Sequence, residues 1–311
     1  MLPTDRCGVK RRGGIVKPCV IFNPVARGEK AVEFRSRLAA LGDELEFRQT
    51  TSPESARALG REAAEQGFEA IVAVGGDGTF NEVLNGVGMV EGAFDSVRMG
   101  VLPLGTANVF AKELGVPMAL DAALDVIREG RTCAVDLAAA SFNQEGKPVR
   151  RFFGQLAGAG LDARAIELVN WESKKRFGVL AYVEAGLKAL AESQAQLTVS
   201  NGETELTGEL VLVGNGRYYG GKFELFPEAK LTDGLLHALV FERVHWADLV
   251  RRGWGLFTHT IPKQKGIKIL SGSALTLRCD RTAPFQLEGD LVGSLPCSFK
   301  VYPRRLKMIV P

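Results

Sequence analysis

The tract Gly75-Gly76-Asp77-Gly78-Thr79-Phe80-Asn81-Glu82 constrains the fold more than any other stretch because of where it stands. It follows directly on the apolar run Ala70 to Val74 and leads into a helical pattern, Phe80 to Val87. A strand that turns on glycines into a helix is a building unit of an open α/β sheet. It brings backbone N–H groups and the positive end of a helix, about half an elementary charge, to one spot suited to phosphate. Asp77 alone would repel phosphate, but aspartate is the residue type that holds Mg2+ against phosphate oxygens, so it implies the metal. Thr79-x-x-Glu82 also reads as a helix capping box, which explains those two residues but not three glycines around an aspartate.

The plan recurs on either side. Met99 to Leu102 runs into Pro103-Leu104-Gly105-Thr106-Ala107-Asn108 and a helix over Ala107 to Leu114, and Cys19 to Phe22 runs into Asn23-Pro24-Val25-Ala26-Arg27-Gly28 and a helix over Ala31 to Leu41. The apolar runs are continuous rather than alternating, as in parallel strands covered on both faces, so an open, doubly wound, Rossmann-like sheet is expected. Three polar loops at the carboxyl ends of its strands meet where such sheets bind ligands. From about Val149 the texture changes to short segments bounded by turn residues, such as Leu210 to Val213, Leu235 to Phe241, Ala274 to Cys279 and Phe299 to Tyr302, which read as antiparallel β. Helical patterns over Asp162 to Ala191 and Ala247 to Phe257 interrupt it. The expectation is α/β with two domains. Residues 15–140 form the nucleotide-binding domain and residues 141–311 a β-rich, sandwich-like substrate domain. A linker lies at Ser141 to Pro148, a cleft separates the domains, and the extreme C-terminus packs back on the first domain.

Length and charge exclude several function classes. At 311 residues the chain exceeds one ordinary core. A net charge of +3, from 39 basic and 36 acidic residues, is too small to wrap nucleic acid. Five scattered cysteines, Cys7, Cys19, Cys133, Cys279 and Cys297, suggest neither a disulfide framework nor a zinc site, and His237, His245 and His259 form no metal or triad pattern. No apolar run nears the ~18 residues that span a bilayer, so a cytoplasmic protein is expected, peripheral at the inner membrane face. The basic opening, Arg6, Lys10, Arg11, Arg12 and Lys17, reads as a solvated arm. Two basic-aromatic clusters are candidate membrane contacts, although solvated amphipathic helices look the same. One holds Trp171, Lys174, Lys175, Arg176 and Phe177; the other holds His245, Trp246, Arg251, Arg252, Trp254 and Phe257.

Over nearly its whole length the chain resembles the diacylglycerol kinase catalytic family, which includes sphingosine kinases and bacterial lipid kinases. Besides the loops above, the resemblance rests on Gly158-Ala159-Gly160-Leu161-Asp162, Gly214-Asn215 to Gly220-Gly221, Pro227-Glu228-Ala229-Lys230-Leu231-Thr232-Asp233-Gly234-Leu235 and Glu288-Gly289-Asp290, in the family's order. It implies an ATP-dependent transfer of the γ-phosphoryl to a lipid hydroxyl. ATP is implied at Asn23, Pro24, Thr50, Gly75, Gly76, Asp77, Gly78, Thr79, Asn81 and Glu82, and at Gly105, Thr106 and Asn108 of the second loop. A structural Mg2+ is implied at Asp233 with the backbone carbonyls of Lys230 and Leu235. The family's general base ends an Asp-Gly-Glu turn; here the acids are swapped, and the role carries to Asp290. Val109 stands where many relatives have aspartate.

Two tracts mimic other sites. Gly216 to Lys222 has Walker A spacing, but Phe223 occupies the Ser/Thr position, and Gly158 to Ala163 imitates a dinucleotide fingerprint outside any βαβ unit. Two further functions fit the same loops: an NAD kinase-like small-molecule kinase, and a catalytically silent nucleotide-binding regulator. Self-association is compatible with the composition, and the sequence carries no code for which lipid is taken.

Overall fold

A computed structural model describes residues 17–25, 28–40, 42–52, 54–168, 179–221, 223–246 and 249–311. The chain forms two compact units. One takes the residues up to Leu137 with Gly220–Lys222 and Tyr302–Pro311; the other takes Ala138–Tyr219 and Phe223–Val301.

The first unit alternates strand and helix as the sequence predicts: β1 (Cys19–Phe22), α1 (Gly28–Ala40), β2 (Glu46–Gln49), α2 (Ser55–Glu65), β3 (Ala70–Gly75), α3 (Asp77–Val87), α4 (Ala93–Ser96), β4 (Arg98–Pro103), α5 (Val109–Glu113) and α6 (Leu120–Glu129). The strands stand in the order β2, β1, β3, β4, all parallel, with Cys19 opposite both Glu46 and Ile71 and Ala70 opposite Arg98. Every residue of β1, β3 and β4 is buried, which is why these strands read as unbroken apolar runs. The end of the chain's last strand adds a parallel neighbour to β4, pairing Lys307 with Arg98. Chain order moves from β1 outward to β2 and then back past β1 to β3. The direction of winding therefore reverses between β1 and β3, and a crevice opens at their carboxyl ends.

The second unit is antiparallel. β5 (Thr132–Gln144) enters it and turns back through Glu145 and Gly146 into β6 (Lys147–Phe153). Then come β7 (Leu156–Gly160), α7 (Leu161–Leu168), α8 (Val179–Ala191), β8 (Leu197–Ser200), β9 (Glu205–Gly208), β10 (Leu210–Gly214), β11 (Tyr218–Tyr219), β12 (Phe223–Glu224), β13 (Leu236–Phe241), α9 (Leu249–Phe257), β14 (Ile267–Gly272), β15 (Ala274–Cys279), β16 (Pro284–Leu287), β17 (Asp290–Ser294) and β18 (Cys297–Ile309). One sheet runs β14, β13, β10, β7, β16, β17; the start of β18 pairs with β15, β15 with β8 and β8 with β9. Their inward side chains share a core in which Phe142, Phe285, Phe299 and Phe153 meet edge to face at 5.0–6.3 Å between ring centres. Alternation in β8, inward at Leu197 and Val199, marks the half-buried strand.

Two expectations change, the linker and the cysteines. Ser141 to Pro148 is no linker but the tip of the β5–β6 hairpin, whose Glu145 and Gly146 take the positive φ values a tight reversal needs. The helical expectation over Asp162 to Ala191 holds where it is described, as α7 and α8; residues 169–178, with Trp171, Lys174, Lys175, Arg176 and Phe177, lie outside the described residues. Cys133 takes part in a disulfide, whereas Cys19, Cys279 and Cys297 are free thiols. The Walker-like tract contains the β11–β12 reversal, with Lys222 outside the described residues, and Gly158 to Ala163 is the join of β7 to α7.

Candidate functional site

The loops after β1, β3 and β4 are bonded to one another at the crevice. Asn23 donates its backbone N–H to Val74 O at 3.0 Å and its side-chain Nδ2 to Thr79 Oγ1 at 3.1 Å. The N–H groups of Leu104 and Gly105 both go to Gly75 O, at 2.9 and 3.1 Å. The second and third loops nearly touch through their glycines: a Cβ on Gly105 would stand 2.4 Å from Gly76 Cα. Only a residue without a side chain allows that approach. Thr50 follows β2, buried, with its N–H on Phe22 O at 2.9 Å. Pro24, Asn81 and Glu82 are half-buried and Thr106 is exposed; Ala26 and Arg27 lie outside the described residues.

The capping box does not form. The N-cap of α3 is Gly76, no side chain caps this end, Thr79 turns to Asn23, and Glu82 accepts the N–H of Glu54 at 3.4 Å. The first-turn amides of an eleven-residue helix, among them those of Asp77 and Gly78, thus face the crevice without a side-chain cap. Asp77 begins that helix, half-buried, and one carboxylate oxygen accepts the N–H of Phe110 at 3.1 Å, tying α3 to α5. Stacking of Phe80 on Phe110, 4.6 Å between centres, makes the same tie from the apolar side. Asn108 caps α5 in the left-handed region, φ 49°, and donates Nδ2 to Gly105 O at 2.8 Å. Its Oδ1 is buried and has no partner. An orphaned acceptor suits a cation or a ligand hydroxyl, and Asp77 and Asn108 are each oxygen-bearing side chains of the kind that Mg2+ takes. Val109, the first residue of α5, is buried, so an apolar side chain suits its surroundings.

In the second unit, Glu288 and Gly289 form the two-residue reversal between β16 and β17, at φ 55° and 90°, and Asp290 opens β17. The two acids are therefore not equivalent residues of one turn. Glu288 Oε1 accepts the backbone N–H groups of Gly154, Gln155 and Leu156 at 2.8, 2.6 and 3.3 Å, while its own N–H goes to Leu156 O. Three charge-assisted bonds hold this side chain in a left-handed backbone conformation that glutamate rarely adopts. Asp290 is exposed.

A half-buried aspartate to which the sequence assigned no role is linked to this turn through Gln286. Asp162, the second residue of α7, accepts Tyr219 Oη at 2.7 Å and Gln286 Nε2 at 2.8 Å. Gln286 in turn accepts the N–H of Gly289 at 2.7 Å. Burial pushes the Asp162 carboxyl above the usual carboxylate range, against the pull of those two hydrogen bonds. The sequence signal was the stretch Gly158-Ala159-Gly160-Leu161-Asp162, which carried the resemblance but gave Asp162 no role.

The turn implied to hold a structural Mg2+ is built differently. Asp233 Oδ2 accepts the N–H of Lys230 and Oδ1 that of Leu235, each at 2.9 Å, and His237 Nε2 stands 3.2 Å from Oδ2, its Nδ1 bonded to Ser271 Oγ at 2.9 Å. Mg2+ demands oxygen ligands in an octahedron, whereas nitrogen groups surround this carboxylate. Around Asp233 lies a hydrogen-bonded aspartate turn closed by a histidine. Among the described residues no group of three or more His, Cys, Asp or Glu side chains is placed to hold a metal, and no helix is long and apolar enough to cross a membrane.

Residues 17–140 match the family model described as a diacylglycerol kinase catalytic domain, and residues 155–310 match one described as a YegS C-terminal NAD kinase beta sandwich-like domain. A diacylglycerol kinase of Staphylococcus aureus is 28% identical over 311 residues, covering 94% of this chain and 91% of the relative. One from Staphylococcus epidermidis is 29% identical over 260 residues, 80% and 76% of the two chains. The crystal structure of a diacylglycerol kinase from Bacillus anthracis superposes with a TM-score of 0.69 over 96% of this chain and 97% of that one; at 22% identity the likeness is one of fold.

Proposed function

The chain belongs to the diacylglycerol kinase catalytic family, its two halves matching that family's catalytic domain and the YegS C-terminal domain, and from that membership we propose that it is an ATP-dependent lipid kinase. The observation that carries the phosphoryl-transfer half of this reading is the crevice at β1, β3 and β4. There glycine loops in backbone contact leave the amino end of α3 without a side-chain cap, between Asn23 and Asp77. Asn23, Pro24, Thr50, Gly75 to Thr79, Asn81, Glu82, Gly105, Thr106 and Asn108 then surround the nucleotide. The first-turn amides of α3 receive phosphate oxygens, and Asp77 and Asn108 supply oxygens to the metal. When bound, Mg2+ neutralises charge on the phosphate oxygens.

In the reaction the lipid hydroxyl oxygen bonds to the γ-phosphorus, the bond from that phosphorus to the β,γ-bridging oxygen breaks, and ADP leaves. The hydroxyl proton passes to Asp290, an exposed residue at the start of β17 and the position to which the family resemblance carries the role. Relatives named diacylglycerol kinase over most of their length support a lipid acceptor; NAD is the second acceptor to be tested, because the C-terminal domain is described as NAD kinase-like. γ-Labelled ATP offered with Mg2+, dispersed diacylglycerol, monoacylglycerol and sphingoid base, and separately with NAD, tests the reading. Label is expected in a lipid product. Label in NADP alone, or ATP binding without transfer to any acceptor, would replace it with one of the two alternatives.

A further inference from the structure

α9 has one packed face and one that the described residues leave largely exposed. On the inner side Arg252 lies over the Phe241 ring, 5.0 Å from its centre, and donates to Arg243 O, while a Cβ on Gly255 would already collide with Gln264 and come within 3.1 Å of Ile261 Cδ1. On the outer side Arg251, Trp254 and Phe257 follow at three-residue spacing, which places them along one face. Trp254 is 71% and Phe257 68% exposed, although Phe257 leans its ring edge on Phe223. Trp246, just before the helix, is 52% exposed. Two tryptophans and a phenylalanine presented within twelve residues cost water-ordering surface that a folded unit normally hides.

The charge around these rings says what covers them. From Glu242 to Ile269 stand six basic residues, Arg243, Arg251, Arg252, Lys263, Lys265 and Lys268, against Glu242 and Asp248. That stretch is +4 in a chain whose total is +3. Lys268 is paired with Glu242, while Arg243, Lys263 and Lys265 are exposed. Exposed tryptophan and phenylalanine among lysines and arginines is the composition that seats a helix in the headgroup layer of an anionic bilayer, the rings entering the acyl boundary and the cations meeting lipid phosphates. We propose that the outer face of α9, with Trp246 and the basic stretch 263–265, is the surface by which this protein docks on anionic membranes. The inference rests on the lipid-kinase reading, since a lipid acceptor must be met at a bilayer.

The test is sedimentation of the full chain with vesicles of phosphatidylcholine alone and of phosphatidylcholine with one-third phosphatidylglycerol. Wild type, W254S/F257S and K263E/K265E are compared, each checked for an unchanged melting curve and for transfer of label to detergent-dispersed lipid. Wild type should bind the anionic vesicles at least about tenfold more tightly than the neutral ones, and more weakly as salt rises. Both variants should lose about tenfold or more in vesicle affinity while keeping their rate on dispersed lipid. Equal vesicle binding by wild type and W254S/F257S overturns the proposal, as does no binding by wild type. A concentration-dependent dimer that the same substitutions dissolve overturns it in favour of self-association. Vesicle binding that follows the substitutions without phosphorylation of any lipid upholds the surface and removes the lipid-kinase reading instead.

Discussion

The proposed division of labour between Glu288 and Asp290 draws on hydrogen bonds rather than on which acid is longer. Glu288 gathers three amides from a segment more than 130 residues earlier in the chain, and no local pattern announces such a partner. Glu288→Gln is therefore expected to lower stability by about 1–3 kcal/mol, read from denaturant midpoints, because a neutral acceptor replaces a charged one in a built nest. Asp77 was legible from its place at a strand-to-helix turn, but its bond to Phe110 N–H was not. Asp77→Asn is expected to cost most of the Mg·ATP affinity, measured by titration calorimetry, while melting falls only slightly. Asp162 was visible as the end of the Gly158 to Asp162 stretch, but its partners Tyr219 and Gln286 lie 57 and 124 residues further on and no local pattern announces them. Burial raises its folded pKa, so the folded state holds the proton more tightly and wild-type stability falls as pH climbs from the ordinary carboxylate range, about 3.9, toward that raised value. Asp162→Asn cannot titrate. The stability of wild type relative to this variant should decline as pH rises above the ordinary carboxylate range, and an unchanged difference would exclude the titration.

At the scale of elements the sequence was most informative where burial is complete. β1, β3 and β4 are recovered within a residue or two because two-sided covering writes an unbroken apolar run. The hairpin at Glu145-Gly146 was read as a linker because polar turn residues between domains and within a hairpin look alike; only the register of β5 on β6 separates them. The contact of Gly105 with Gly76 was legible as composition but not as geometry. Gly105→Ala forces two loops apart and should weaken nucleotide binding by about tenfold or more while costing about 1–3 kcal/mol of stability, measured by calorimetry and thermal melting. The turn at Asp233 is tied by two amides and an imidazole, donors that no sequence motif announces. Asp233→Ala should lower the melting temperature by the same amount with Mg2+ or with EDTA, and a Mg2+-dependent difference would restore the metal.

For the molecule as a whole, a unit of parallel sheet and a unit of antiparallel sheet follow from two textures of hydrophobic pattern. The return of Tyr302–Pro311 to the first unit rests on one parallel pairing, Lys307 opposite Arg98, that no turn signal marks. The account assigns nucleotide binding to the first unit and proton acceptance to the second. Asp290→Asn addresses that assignment most directly, because it alters a residue remote in sequence from every nucleotide loop. The measurement is single-turnover transfer of γ-label to the lipid acceptor, beside equilibrium ATP affinity of the same protein. The account predicts a rate lowered by about 10²–10⁴-fold with ATP affinity unchanged. A variant that keeps most of its transfer rate, with Glu288→Gln the inactive one, would contradict it.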